Sequence, residues 1–147
     1  DAVLCMDVLY HKDIDPIESF KEIKKLLKPN GILILNVAAL PCLRNSHDKN
    51  SMGARRFKLA GLRKIAIKNG FKIKQLHYWN IALTPLIYLK AKIDYLMPSL
   101  NKGESSLRLP NKFCNKFLRM LLKIENVFLN YFKIPFGTSL FLVCEKI

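Results

Sequence analysis

Asp1-Ala2-Val3-Leu4-Cys5-Met6, Asp15-Pro16-Ile17-Glu18 and Lys28-Pro29-Asn30-Gly31-Ile32-Leu33-Ile34-Leu35-Asn36-Val37 are the stretches that decide the fold. The first is a short apolar run, which predicts a buried strand. The second is a helix start: Asp15 can cap, Pro16 suits the first helical position, and Glu18 completes a capping-box spacing. Ile17, Phe20, Ile23 and Leu27 then recur at helical spacing, with Lys21, Glu22, Lys24, Lys25 and Lys28 between them. That pattern predicts one apolar stripe and one solvated face. Pro29-Asn30-Gly31 stops the helix and turns the chain. Residues 32–37 are nearly continuously apolar, the mark of a strand covered on both faces, as in a parallel sheet. Strand, helix and strand together make a βαβ unit.

Working outward, residues 38–54 are polar and loop-like, with Pro41, Asn45, Ser46, Asp48, Asn50, Ser51 and Gly53. A connection this long is where function tends to concentrate. A helix is predicted over residues 58–69, with Leu59, Leu62, Ile65 and Ala66 on one face and Gly70 just past its end. Phe71, Ile73 and Gln75 then alternate with Lys72 and Lys74, a half-exposed strand running to Trp79. Residues 81–97 and 111–133 have helical patterns, with residues 99–110 as the loop between them. A last apolar strand, 138–144, follows Pro135-Phe136-Gly137. In the second of these helices Phe113, Phe117, Leu121, Ile124, Phe128 and Tyr131 make one face. Lys116, Arg119, Lys123, Asn126, Asn130 and Lys133 make the opposite one. With no internal repeat and no linker, residues 1–147 are expected to form one partial domain, with residues 81–134 as a helical insertion.

The chain has 147 residues, enough for one domain. At 50% hydrophobic and 24% charged residues, a disordered tail, a collagen-like repeat and a low-complexity array are excluded. Lys+Arg 25 against Asp+Glu 11 gives a formal charge of +14. Such an excess suits an anionic partner (nucleic acid, a membrane surface or a phosphorylated substrate), or it is simply a lysine-rich solvated surface. The four cysteines, Cys5, Cys42, Cys114 and Cys144, contain no CxxC pair, so zinc and thioredoxin-type chemistry find no support. Cys5 and Cys144 sit in apolar runs, as buried free thiols of a reducing compartment would, and a cytoplasmic location is expected. His11, His47 and His77 have no metal-ligand spacing, and no metal is expected. The best candidate for a membrane span, residues 79–100, is interrupted by Pro85, Lys90, Lys92, Asp94 and Pro98. The chain opens inside a strand without an initiator Met, which suggests a piece whose N-terminal part is missing.

The first three stretches, with Asp7-Val8-Leu9-Tyr10-His11 between them, resemble the C-terminal half of a class I S-adenosylmethionine-dependent methyltransferase. In that family the fourth strand opens with an Asp and ends in a "VLxH" segment, and the fifth follows an "LKPGG"-like turn. Asn30 replaces the first Gly of that turn; Asn tolerates positive φ, so the turn should survive. Ser46-His47-Asp48, Arg55-Arg56-Phe57, Gly70-Phe71, Tyr78-Trp79-Asn80, Pro85 and the closing Pro135-Phe136-Gly137-Thr138-Ser139-Leu140 continue the likeness to a subgroup with an "SxHD…RRY…L…aGF" pattern. That subgroup often carries a His two residues before the Arg pair, where this chain has Gly53.

The resemblance implies an α/β fold: the C-terminal part of a Rossmann-like methyltransferase sheet, its fourth, fifth, seventh and sixth strands side by side, with a helical insertion before the last. The family's glycine-rich loop and the acidic residue that binds the cofactor ribose have no counterpart here, and no GxGxG occurs. The fragment alone is therefore expected to be inactive, and its first strand to form a naked apolar edge. The resemblance further implies S-adenosylmethionine as cofactor, flanked by Cys5, Met6 and Asp7, with Asp7 accepting from the cofactor's amino group. His11 could act as general base toward an acceptor hydroxyl, with His47 a second candidate; His11 could equally be a loop histidine capping a turn. Asp48, Arg55 and Arg56 would bind the acceptor, the guanidiniums as planar donors to a carboxylate or phosphate. Alternatively, one arginine could be ordering the loop through a salt bridge with Asp48. The apolar, aromatic and basic insertion would form the acceptor side, suiting a small or lipid-linked acceptor, including a glycan precursor.

Two rival readings stay open. One is a noncatalytic α/β module that docks on a membrane or a partner through the basic amphipathic helix, by way of Lys116, Arg119 and Lys123. It competes with the plainer expectation that the helix packs its apolar face on the sheet. The other is a nucleic-acid methyltransferase. The charge permits it, but the interleaved aromatic–basic strand pattern of RNA-binding modules is missing, so nucleic acid is not the expected partner.

Overall fold

The computed structural model of the chain describes residues 1–44, 48, 53, 55–96, 111–132 and 134–147. His47, Lys133 and the loop 99–110 lie outside the described residues. In chain order the elements are β1 (Ala2–Met6), α1 (Pro16–Leu26), β2 (Ile32–Ala38), a 3-10 turn at Pro41–Leu43, α2 (Leu59–Lys68), β3 (Phe71–Trp79), α3 (Thr84–Leu96), α4 (Lys112–Tyr131) and β4 (Ser139–Lys146). The strands form one sheet in the order β1-β2-β4-β3. β1 and β2 pair in parallel, whereas β4 is antiparallel to both β2 and β3. The carboxyl ends of β1, β2 and β3 therefore share one edge with the start of β4. The chain leaves β3 at that edge and returns to it after the insertion, so β4 has to run back. This is the expected α/β sheet, with its four strands in the expected order.

Local chemistry accounts for the element boundaries. The Asp15 carboxylate accepts from the backbone N–H of Ile17 (2.7 Å) and Glu18 (3.4 Å), capping α1 behind Pro16. Glu18 itself turns to Lys21 at 3.0 Å. Asn30 adopts φ 62°, the left-handed conformation a small polar residue tolerates, and the turn survives its substitution for Gly. Gly70 ends α2 at φ 76°. In β3 the pairing with β4 shifts between Ile73 and Gln75. This bulge carries one extra residue, so Phe71 and Tyr78 both face inward although they are an odd number of positions apart.

The core lies on one face of the sheet. Leu33, Leu35 and Val37 of β2 and Leu140, Leu142 and Cys144 of β4 pack against Phe20 and Ile23 from α1, Leu27 that caps its end, and Leu62 and Ala66 from α2. Phe20 meets Phe71 edge-on at 5.6 Å. Three expectations are corrected. The buried stripe of α1 begins at Pro16 and not at Ile17, which is 45% exposed: the stripe runs 16, 20, 23, 27, and Ile17 is turned off it by one residue. β2 is sealed on one face only; Ile32 and Ile34 on the other are half-buried, and Leu4 beside them is 68% exposed. Finally, the aromatic face of α4 does not pack on the sheet: Phe113, Phe117, Ile124 and Phe128 are exposed, because the helix sits on the protein by another face. Among the described residues no helix is long and apolar enough to cross a membrane.

Candidate active site

The carboxyl edge of the sheet gathers the polar groups. Asp7 follows β1 directly with φ 53°, and its N–H donates to the Asn36 carbonyl (2.9 Å). Its Oδ1 accepts from Asn36 Nδ2 at 2.9 Å, and Asn36 Oδ1 in turn accepts from Trp79 Nε1 at 2.8 Å. Trp79 belongs to β3 and Asn36 to β2, so the indole reaches across β4; the residues aligned there, Ala38 and Ser139, are small. The chain Trp79–Asn36–Asp7 thus locks one carboxylate oxygen of Asp7. Among the described residues no other group engages the second oxygen, and Asp7 is exposed. A buried amide with both ends satisfied is a rigid support.

Alternation divides the rest of this strand end. Met6 lies on the open face, 49% exposed, while Cys5 points into the core. Burial, and secondarily the charge of Asp7, push the Cys5 thiol up. Any part Cys5 takes in ligand binding is therefore left to its backbone. Burial likewise pushes the Cys144 thiol up to about 12.

The loop after β1 and the segment before α2 are laced together. His11 bridges Gly53 in antiparallel fashion, the Arg55 N–H donates to the Tyr10 carbonyl (3.3 Å), and Arg55 Nη2 reaches the Lys12 carbonyl at 3.5 Å. The His11 ring stacks on Tyr10, centroids 4.3 Å apart. Gly53 is pressed in: a Cβ there would stand 2.8 Å from the Asp48 carbonyl oxygen and 3.2 Å from the Tyr10 ring. A histidine at this position would not fit the same loop. Arg56 is mostly buried and holds Asp48 through both ends of its fork, Nε to Oδ2 at 2.6 Å and Nη2 to Oδ1 at 3.0 Å. Its Nη1 donates to the Ala39 carbonyl at 3.0 Å. Of the two arginines, then, Arg56 is the one committed to a carboxylate, while the Arg55 guanidinium meets the Lys12 carbonyl alone among the described residues.

On the open face of the sheet a cavity of about 820 Å³ lies beside this edge. Met6, His77, Trp79 and Phe141 line it from the strands, Asn126, Val127 and Leu129 from α4, and Arg63 and Lys74 add positive charge. Burial holds His77 below the usual imidazole range. Glu125 ties α4 to the edge: its buried carboxylate accepts from the N–H groups of Ile81 (2.9 Å) and Ala82 (3.2 Å) just after β3.

The structure therefore brings Met6, Asp7, His11 and Arg55 to the same edge, joined through the backbone of residues 7–12, and pairs Asp48 with Arg56 beside the Ala39 carbonyl. His47 lies outside the described residues. Sequence reasoning missed Asn36 and the indole of Trp79. Asn36 carried a signal, as the one polar residue in the apolar run 32–37; Trp79 carried none, because its partner is remote in sequence.

Residues 1–35 match the sequence model of a family described as "Methyltransferase domain". No curated protein matches the chain by sequence. Among solved structures, the Haemonchus contortus phosphoethanolamine N-methyltransferase 2 bound to S-adenosylmethionine is similar over 99% of this chain and 33% of its own, at 18% identity and TM-score 0.53. The same enzyme with phosphomonomethylethanolamine and S-adenosylhomocysteine matches over 99% and 33%, at 17% and 0.50. The [4+2]-cyclase SpnF matches over 99% and 50%, at 16% and 0.50. At these identities the likeness is one of fold, and the chain spans between a third and a half of these structures' length. The fold is that of the methyltransferases, and the expected resemblance is borne out over residues 1–35.

Proposed function

We propose that this chain is the acceptor-facing part of an S-adenosylmethionine-dependent methyltransferase acting on a small or lipid-linked acceptor. The observation that carries it is the Trp79–Asn36–Asp7 chain, which fixes a carboxylate at the carboxyl end of a strand, where ligands bind in such sheets. The residues fit the cofactor in part. The free oxygen of Asp7 can accept from an amino group, and Met6 offers an apolar surface beside it. The glycine-rich loop that cradles the cofactor's methionine end in this family has no counterpart in this sequence. S-adenosylmethionine supplies a methyl group already activated on a positively charged sulfur, so the protein's share is alignment and exclusion of water.

In this reading His11 takes the proton of an acceptor hydroxyl or ammonium group, and His47 is a second candidate for that role. Arg55 binds an anionic group of the acceptor. Arg56 and Asp48 act as positioning residues through the loop they fasten. The cavity between β3 and α4 opens beside this site at Met6 and offers room for the remainder of a larger, lipid-linked acceptor.

The test uses the full-length protein. S-adenosylhomocysteine binding is measured by calorimetry, and methyl transfer with labelled donor against a panel of small amines, phenols and lipid-linked sugars. Asp7→Asn should weaken cofactor binding about tenfold to a hundredfold, the worth of a charge-assisted hydrogen bond. His11→Ala should leave that binding unchanged and lower kcat by about a hundredfold or more if it is the base. Absence of cofactor binding would overturn the reading in favour of a noncatalytic module. Turnover on RNA or DNA alone would overturn the acceptor class.

A further inference from the structure

The helix α4 displays an apolar stripe that nothing in the described structure covers. Phe113, Phe117, Met120, Ile124 and Phe128 recur at three- and four-residue steps, and every one is between 48% and 81% exposed. The face turned to the protein is a different one, formed by Leu118, Leu121, Leu122, Leu129 and the buried Glu125. Beside the exposed stripe runs a second, also at three- and four-residue steps: Lys112, Lys116, Arg119 and Lys123, all exposed. The helix contains one acid, Glu125, and that carboxylate is turned inward onto two backbone N–H groups. The outer surface of α4 is thus an apolar strip flanked by positive charge and free of negative charge, on a chain of net charge +14. An isolated exposed leucine would mean little, but a continuous strip of this kind marks an interaction surface.

We infer that α4 is an interfacial helix that docks this protein on an anionic lipid bilayer, its aromatic stripe entering the headgroup boundary and Lys112, Lys116, Arg119 and Lys123 facing the acidic lipids. Charge complementarity selects this occupant. An apolar partner alone would leave the flanking cationic row without a counterpart, and a second copy would bring two such rows together. The inference stands on the surface of α4 and does not depend on methyl transfer.

The test is cosedimentation of the full chain with sucrose-loaded vesicles, of phosphatidylcholine alone or with one-third phosphatidylglycerol, at low and high salt. Binding is expected to the anionic vesicles only and to weaken with salt. Each basic residue near an acidic leaflet is worth about fivefold in partitioning, so Lys116→Glu/Arg119→Glu/Lys123→Glu should weaken binding by about a hundredfold or more. Phe113→Ser/Phe117→Ser should weaken it too while leaving the circular dichroism and melting temperature unchanged, since both rings are exposed. Lys58→Glu/Lys64→Glu/Lys68→Glu, three exposed lysines at the start of α2 and along it, serves as the charge-matched control and should bind within a few-fold of the parent. No vesicle binding, equal binding to neutral vesicles, or equal loss in the α2 control would overturn the inference. So would a concentration-dependent dimer that Phe113→Ser/Phe117→Ser abolishes, which would assign the strip to a second copy.

Discussion

At the scale of single residues, the site is built from positions where backbone and side chain are constrained together. Gly137 shows this most directly: a Cβ there would lie 2.5 Å from the Trp79 carbonyl oxygen and 3.0 Å from its nitrogen. Both are backbone atoms, so neither can swing away. Gly137→Ala should lower stability by about 1–3 kcal/mol, the usual cost of forced overpacking, read as a lower urea midpoint. His77 gives a pH effect of known sign. Burial lowers its folded pKa below the unfolded value near 6.5. Below that value the unfolded chain binds the proton more readily, so stability is full above about pH 6.5 and is lost as pH falls through the folded pKa. The urea midpoint of the parent should drop between neutral pH and pH 5 by more than that of His77→Gln, and equal drops would refute this account. The Asp7–Asn36 contact was half legible: the sequence offered Asp7 as a ligand, but not the amide that holds it.

At the scale of elements, α1 and α4 show why patterns succeed or mislead. The end signals of α1 are local: a cap, a proline and a left-handed Asn act within a few residues, so sequence and structure agree on the element. Which face is buried depends on what lies beside the helix. Stepping from Pro16 rather than Ile17 needed the position of the sheet, and α4 had two apolar arcs from which to choose. Glu125 makes that choice, because an inward carboxylate paired with the Ile81 and Ala82 N–H groups sets the rotation of the helix. Glu125→Ala should remove about 1.5–3 kcal/mol of local stability, the range for hydrogen bonds to a charged group. Hydrogen exchange at Ile81 and Ala82 should accelerate accordingly, while amides in β2 keep their protection.

At the scale of the whole molecule, the sheet is closed on one face and open on the other, and β1 is its terminal strand. Leu4 and Met6 stand exposed on that open face, and the outer backbone of β1 pairs with no described strand. Such an edge templates association. The chain expressed by itself should therefore scatter light increasingly with concentration. Leu4→Lys, which places a charge on the edge without touching the core, should reduce that scattering severalfold at unchanged melting temperature. Unchanged scattering would place the association elsewhere, α4 being the next surface to vary.

The sequence by itself determined the βαβ opening, the turn at Asn30 and the end of α2 at Gly70. All of these follow from chemistry confined to a few neighbouring residues or to a period of two or 3.6. It also offered one arginine as a loop fastener without saying which. Only the tertiary structure decided that Arg56 and not Arg55 holds Asp48, that Cys5 turns away from the site while Met6 faces it, and that the aromatic stripe of α4 meets solvent. Each depends on a partner distant in sequence, such as the indole of Trp79 reaching Asn36 across an intervening strand. A pattern states which residues share a face; what that face meets is fixed when remote segments pack together.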